Sequence, residues 1–247
     1  MSEILTSTIA DRYKRISERL QIAITAAGRP MDSVKMLVVT KGQPVEKIVE
    51  AYNAGARLFG ENYPEETARK LNTLTAYTDL QIHMIGHLQS RKARVVAESF
   101  CYMHSLDRVS IAQKLNQELE STGRTLPVLL EMNVSGEESK QGFNAWDPQQ
   151  WGNLLDEIGQ IAACKSLEIH GLMTMPPLSA EAEAVRPYFQ KLSKLREYLT
   201  FQMPSIDWSE LSMGTSSDFE TAVQEGATFI RVGTAIMGPR TYKKLSI

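Results

Sequence analysis

The residues best suited to chemistry stand at the abrupt ends of apolar runs. Thr40-Lys41-Gly42 follows Met36-Leu37-Val38-Val39, which puts a lysine directly behind a buried stretch. At a pocket rim, desolvation disfavours the ammonium and lowers its pKa, and a neutral amine condenses with an aldehyde or ketone. The competing reading is a lysine that merely opens a solvated loop. Ser212-Met213-Gly214-Thr215-Ser216-Ser217 and Gly233-Thr234 each follow another apolar run, and a helix start at Asp218 comes directly after the first. Both segments offer hydroxyls and a glycine whose backbone can approach a phosphate closely. Either one alone reads as well as an ordinary glycine turn with a capping residue. Together, Ser212, Gly214, Gly233 and Thr234 at one end and Lys41 at the other would span a compact aldehyde phosphate. Arg231 alternates with Phe229 and Gly233, so the three share one strand face. If Gly233 faces the phosphate, Arg231 faces inward too; a salt bridge at the rim explains it equally well.

These residues need elements that bring them to one place. Apolar, β-branched runs recur at residues 35–40, 57–60, 81–85, 101–105, 128–134, 167–173, 208–213 and 228–232. Helical periodicity fills residues 45–54, 64–74, 90–98, 109–120, 148–163, 181–199 and 217–225, and an extra amphipathic helix precedes them at 9–27. Strands that do not alternate apolar with polar suit a parallel sheet buried on both faces. Strand–helix alternation over 247 residues predicts an α/β chain with a single (β/α)8 TIM-type barrel and an additional N-terminal helix, one domain over residues 1–247. An open doubly wound sheet is the competing architecture. In a closed barrel the strand C-termini form the mouth, where Lys41, Asn62, Asn133 and the two glycine loops would gather.

Composition narrows the function class. A formal charge of -2, from 27 basic and 29 acidic side chains, gives no reason to expect a nucleic acid or an anionic membrane as partner. Cys101 and Cys164 lie far apart and suggest neither a disulfide framework nor a metal cluster, which favours a reducing cytoplasm. The N-terminus has no apolar segment of the secretory kind, and no run is long enough to span a bilayer. Trp146, Trp151 and Trp208 are expected to pack rather than stack on a ligand.

Read together, Thr40-Lys41, Phe59-Gly60-Glu61-Asn62-Tyr63, Ile85-Gly86-His87-Leu88-Gln89, Asn133-Val134-Ser135-Gly136-Glu137-Glu138-Ser139-Lys140, Gly171-Leu172-Met173-Thr174-Met175, Leu211-Ser212-Met213-Gly214 and the run Ile230 to Gly238 form an ordered set. The chain resembles the pyridoxal phosphate homeostasis protein family, also called YggS/PROSC-like, from about residue 10 to residue 240. The resemblance implies a barrel like the N-terminal domain of alanine racemase that binds pyridoxal 5'-phosphate (PLP). It implies that Lys41 holds the aldehyde as a Schiff base and that Ser212, Gly214, Gly233 and Thr234 hold the phosphate. Arg231 would face the pyridine nitrogen, Asn62 would contact the ring side, and His83 is a candidate for the same shell. Two departures from the family pattern stand out. Gln43 replaces a second lysine, and Arg91 replaces an asparagine in Gln89-Ser90-Arg91-Lys92.

The implied role is a carrier that buffers PLP and supplies it to PLP-dependent apo-enzymes, without robust catalysis. An arginine about 4 Å from the ring nitrogen opposes its protonation by roughly 4 kcal/mol at an effective dielectric near 20, which weakens the electron sink. Alanine racemase also uses arginine there, and it adds an acid/base from a second domain. Such a domain is not expected after Gly238, and nothing in the pattern places Tyr63, Tyr242 or Lys140 in that role. A slow PLP-dependent amino-acid racemase is the alternative, and a Schiff-base aldolase on a phosphorylated substrate is a further one. A monomer is the default expectation.

Overall fold

Helix α1 (Ile9–Ala26) forms where Ile9, Ile16, Leu20, Ala23 and Ile24 return to one face, and that face is buried. A capping box sets its start: Thr8 Oγ1 accepts from the Asp11 N–H, and the Asp11 carboxylate accepts from the Thr8 N–H. The computed structural model describes residues 7–177, 179 and 181–239. Tyr242 lies outside the described residues.

Eight parallel strands close into a barrel: β1 (Lys35–Val39), β2 (Leu58–Glu61), β3 (Gln81–Met84), β4 (Tyr102–Leu106), β5 (Leu126–Asn133), β7 (Leu167–Met173), β8 (Glu210–Ser212) and β9 (Phe229–Val232). Each pairs with the next in that order. Pairing of β1 with β9, Leu37 opposite Arg231, completes the circle, and Met103 opposite Val128 joins β4 to β5. The closed barrel, rather than the open sheet, is the architecture. One element was not expected: β6 (Phe143–Asn144), which pairs only with the outer end of β5. It orders the long loop leaving that strand.

The outer helices are α2 (Val45–Asn53), α3 (Pro64–Leu71), α4 (Ala93–Ser99), α5 (Val109–Thr122), α6 (Leu154–Ala162), α7 (Arg186–Gln202), α8 (Phe219–Gln224) and α9 (Thr234–Met237). Three helical segments expected to be continuous open instead as tighter 3-10 turns, at Ser90–Lys92, Pro148–Asn153 and Ala182–Val185. In the second, Pro148 has no N–H to donate and Asp147 caps Gln149, so the α-helical ladder starts only at Leu154. Among the described residues no helix is long and apolar enough to cross a membrane.

Two features of this architecture bear on the mouth. Inside the barrel His83, Tyr102, His104 and Phe229 form a contacting aromatic layer, with Phe229 4.9 Å from His104 and 5.9 Å from His83 between ring centres. The barrel below the mouth is therefore a packed core rather than a channel. Outside it, α1 and the turn that follows it brace the two short helices after β8 and β9. Arg12 Nε donates to Ile236 O at 2.6 Å, Arg29 Nη1 donates to Val223 O and Ala227 O at 2.8 Å each, and Arg19 Nε reaches Glu220 at 2.9 Å. Arginine satisfies the carbonyls that close a helix end, which short helices cannot satisfy internally.

Candidate functional site

At the C-terminal ends of the strands lies a cavity of about 420 Å³. Five of the expected residues line it: Lys41, Asn62, Arg231, Gly233 and Thr234. Lys41, half-buried, enters from the end of β1, and Thr40 just before it is fully buried. Thr40 is held in place by a buried ion pair behind the strand. Its hydroxyl donates to Glu61 Oε1 at 2.8 Å, and Lys70 Nζ donates to the same oxygen at 2.8 Å and to Thr40 O at 3.4 Å. Asn62 follows Glu61 and presses against Gly86, where a Cβ would fall 2.8 Å from Asn62 Cα and Cβ. A side chain there would push Asn62 away. Asn62 Oδ1 is buried with no hydrogen-bond partner among the described residues.

Next to Lys41 the cavity wall continues into the loops after β9, which pairs with β1, and after β8. Gly233 N–H donates to Ser216 Oγ at 3.2 Å, joining the two loops, and Thr234 follows at the first turn of α9, where N–H groups have no intrahelical acceptor. Asp218 folds the preceding loop by accepting from the Thr215 N–H and, at 3.0 Å, from its hydroxyl. Gly214 shapes this loop from behind and does not line the cavity. Its φ is +91°, and a Cβ would lie 2.6 Å from Ala222 Cβ.

Arg231 forms part of the wall, and Phe229, Arg231 and Gly233 share the inner face as alternation requires. Its guanidinium donates to Ser212 Oγ at 2.7 Å and to Thr174 O at 2.8 Å. Burial pushes its pKa down to about 10, opposed by Glu131 and Asp218, so it stays a cation at neutral pH. Ser212 is a correction to the expected phosphate contacts. It is fully buried, and its hydroxyl is taken up by Arg231 and by His104 Nδ1 at 2.8 Å, so it orients Arg231 instead of reaching the cavity. His83 is a second correction. It lies in the aromatic layer beneath the site, stacked on Tyr102 and 2.9 Å from His104 Nε2 through Nδ1. Burial pushes its pKa down to about 3 and holds His104 well below the ordinary histidine value, so both rings are neutral. Their inward direction on the neighbouring strands β3 and β4, with His83 in register with Tyr102 and His104 two residues further on, decides this and is invisible in a linear pattern.

Three other expectations find their places. Gln43 is buried and ties the mouth to α9, accepting from Lys47 Nζ at 3.0 Å and donating to Gly238 O at 3.4 Å. Arg91 is exposed on Gln89, away from the cavity wall. Lys140 is half-buried and donates to Pro176 O at 3.3 Å, linking the β5 and β7 loops. Tyr63 is 52% exposed and does not line the cavity; Trp146 is 46% exposed, whereas Trp151 and Trp208 are buried.

The wall opposite holds Glu131, which sequence reasoning missed, and His87, which it noted only within the motif Ile85 to Gln89. Glu131 on β5 is buried, and burial, with help from the charge of Asp107, pushes its pKa up to about 7 against the pull of Arg231 and Lys140. Its signal was a lone carboxylate inside Val128-Leu129-Leu130-Glu131-Met132. His87, after β3, also lines the cavity and meets Asp107 at the end of β4, Nδ1 to Oδ2 at 2.7 Å.

The comparisons with known proteins agree with this architecture. The family model described as alanine racemase, N-terminal domain, matches residues 12–241. A pyridoxal phosphate homeostasis protein of Vibrio alginolyticus is 39% identical over 239 residues, covering 96% of this chain and 99% of the relative. One from Pseudomonas aeruginosa is 40% identical over 236 residues, covering 96% and 97%. The chain belongs to the pyridoxal phosphate homeostasis protein family. Among solved structures, PipY of Synechococcus elongatus PCC7942 with PLP bound is 35% identical, has a TM-score of 0.78, and is matched over 94% of this chain and 100% of its own. Alanine racemase of Clostridium difficile 630, 13% identical with a TM-score of 0.66, shares the fold; the match covers 93% of this chain and 58% of that one.

Proposed function

We propose that this protein binds PLP at the barrel mouth and serves PLP homeostasis, holding the cofactor on Lys41 and releasing it to PLP-dependent apo-enzymes without robust catalysis of its own. The observation that carries the reading is that a half-buried lysine after β1, the loop residues Ser216, Gly233 and Thr234 after β8 and β9, and a buried arginine on β9 line one cavity, on three strands that are neighbours in the barrel. The donor set fits the cofactor. Hydroxyls and backbone N–H groups suit a phosphate, the unpartnered Asn62 Oδ1 suits a polar ring substituent, and Arg231, already charged, opposes protonation of a ring nitrogen. When bound, PLP supplies an aldehyde carbon that condenses reversibly with a primary amine. The protein's own share is to present Lys41 Nζ, to anchor the phosphate and to keep the ring nitrogen unprotonated. A cofactor with a neutral ring nitrogen is a weak electron sink, which supports storage over turnover.

Purified protein is expected to be yellow, and borohydride reduction should fix the cofactor mass on the peptide containing Lys41. Lys41→Ala should abolish both. Holo protein mixed with a PLP-dependent apo-enzyme should restore that enzyme's activity, while amino acids alone give negligible racemisation. A colourless protein without PLP, or turnover of a common amino acid at ordinary enzyme rates of about 1–10³ s⁻¹, would end this reading.

A further inference from the structure

The side of the cavity facing Lys41 and the phosphate loops carries groups that PLP anchoring leaves unused. In the barrel order, β4 and β5 lie across the mouth from β9 and β1. Glu131 stands there on β5, more than nine-tenths buried, lining the cavity, and among the described residues no hydrogen bond or ion pair reaches its carboxylate. A buried carboxylate without a partner is costly, and a cation that fills its place relieves the cost. Beside it, Asp107 is buried and holds His87 by Nδ1, while its other oxygen accepts from Arg108 at 2.6 Å. A carboxylate on Nδ1 fixes the ring and leaves Nε2 of His87, whose side chain is 42% exposed, available to accept a proton.

We infer that Glu131 and the His87–Asp107 pair form a subsite for the primary ammonium group that takes PLP from Lys41. This rests on the PLP-binding reading above and specifies how the cofactor leaves. The incoming ammonium docks on Glu131 and gives one proton to His87 Nε2. Its freed electron pair forms a bond to the aldehyde-derived carbon, and the bond from that carbon to Lys41 Nζ breaks. His87 delivers that proton to Lys41 Nζ and then relays a second one to it from the newly bonded nitrogen, so the incoming nitrogen loses two protons, Lys41 gains two and departs as an ammonium group, and no other reagent is needed. The ammonium can come from a free amine or from a lysine of an apo-enzyme; the chemistry is the same.

The test uses the full chain loaded with PLP. Departure of the cofactor is followed by absorbance and by gel filtration, per mole of PLP bound at the start. Ethylamine, cationic near neutral pH, is compared with hydroxylamine, which is largely uncharged there and needs neither a carboxylate nor a proton acceptor. In Glu131→Gln and in His87→Gln the ratio of ethylamine to hydroxylamine rates should fall by about tenfold or more. Mere loosening of the cavity would move both rates together and leave the ratio alone. A parallel arm replaces ethylamine with a PLP-dependent apo-enzyme. Dependence on Glu131 and His87 in that arm alone assigns the acceptor to a protein lysine, and dependence in the ethylamine arm assigns it to small amines. An unchanged ratio in both variants, together with wild-type transfer to the apo-enzyme, overturns the inference. Failure of the underlying reading is separable, since wild-type protein would then hold no PLP before any amine is added.

Discussion

Replacing Glu131 with glutamine isolates one buried charge, and the effect on stability can be worked out in advance. In the unfolded chain this carboxyl titrates near 4.5; in the folded, PLP-free protein burial raises it to about 7. Below about pH 4.5 it is protonated in both states, and Glu131→Gln should leave stability nearly unchanged. Between the two values the unfolded chain has lost the proton and the folded protein has kept it, so stability of the wild type falls as pH rises. Above about pH 7 both states are ionised and the full penalty is in place. At 1.36 kcal/mol per pKa unit it amounts to about 3 kcal/mol, which the isosteric amide should recover. Urea unfolding of both proteins at pH 4.5, 6 and 8 reads this directly. With slopes of about 1–3 kcal/mol/M, the variant should gain about 1–3 M in midpoint between the lowest and highest pH. Other titrating groups cancel in the difference between the two proteins. A gap that stays below about 0.5 kcal/mol across this range, within ordinary surface-substitution effects, would mean that the carboxylate is solvated or paired, and the electrostatic picture of the far wall would be wrong.

Three further changes probe the supports of the site. Gly214→Ala forces a left-handed conformation on alanine and sets its Cβ against Ala222; thermal unfolding should show a loss of about 1–3 kcal/mol, with weaker PLP binding in equilibrium dialysis. Lys70→Met strands Glu61 as a buried charge behind Thr40 and should cost about 3–5 kcal/mol in denaturant unfolding, while Lys70→Met combined with Glu61→Leu should recover much of it. Ser212→Ala removes the shared partner of Arg231 and His104. It should cost about 1–3 kcal/mol of stability and loosen PLP, and an unchanged PLP affinity would show that Arg231 needs no orienting hydroxyl.

Much of the site's chemistry was readable from local pattern because it depends on chain neighbours. Lys41 comes two residues after the apolar end of β1, and Arg231 stands two residues before Gly233 on a strand whose alternation sets its direction; both line the cavity. Ser212 and His83 show the limit of that reasoning. Each is a polar residue close to the mouth in sequence, yet each is used by a partner on another strand: Ser212 by Arg231 and His104, His83 by His104. His87 and Asp107, 20 residues apart, become a pair only because β3 and β4 are neighbours.

Strand and helix periods, the lysine at the end of β1 and the glycine loops after β8 and β9 were already set by residue order, because alternation, capping and turn geometry act over a few residues. Barrel closure decided the rest. Bringing β4 and β5 to face β9 and β1 is a contact between distant parts of the chain, and it turned Glu131 from one acidic letter in an apolar strand into a buried charge on the wall opposite Lys41. The free energy of a buried charge depends on what surrounds it in space, and that is settled only when the circle of strands is complete.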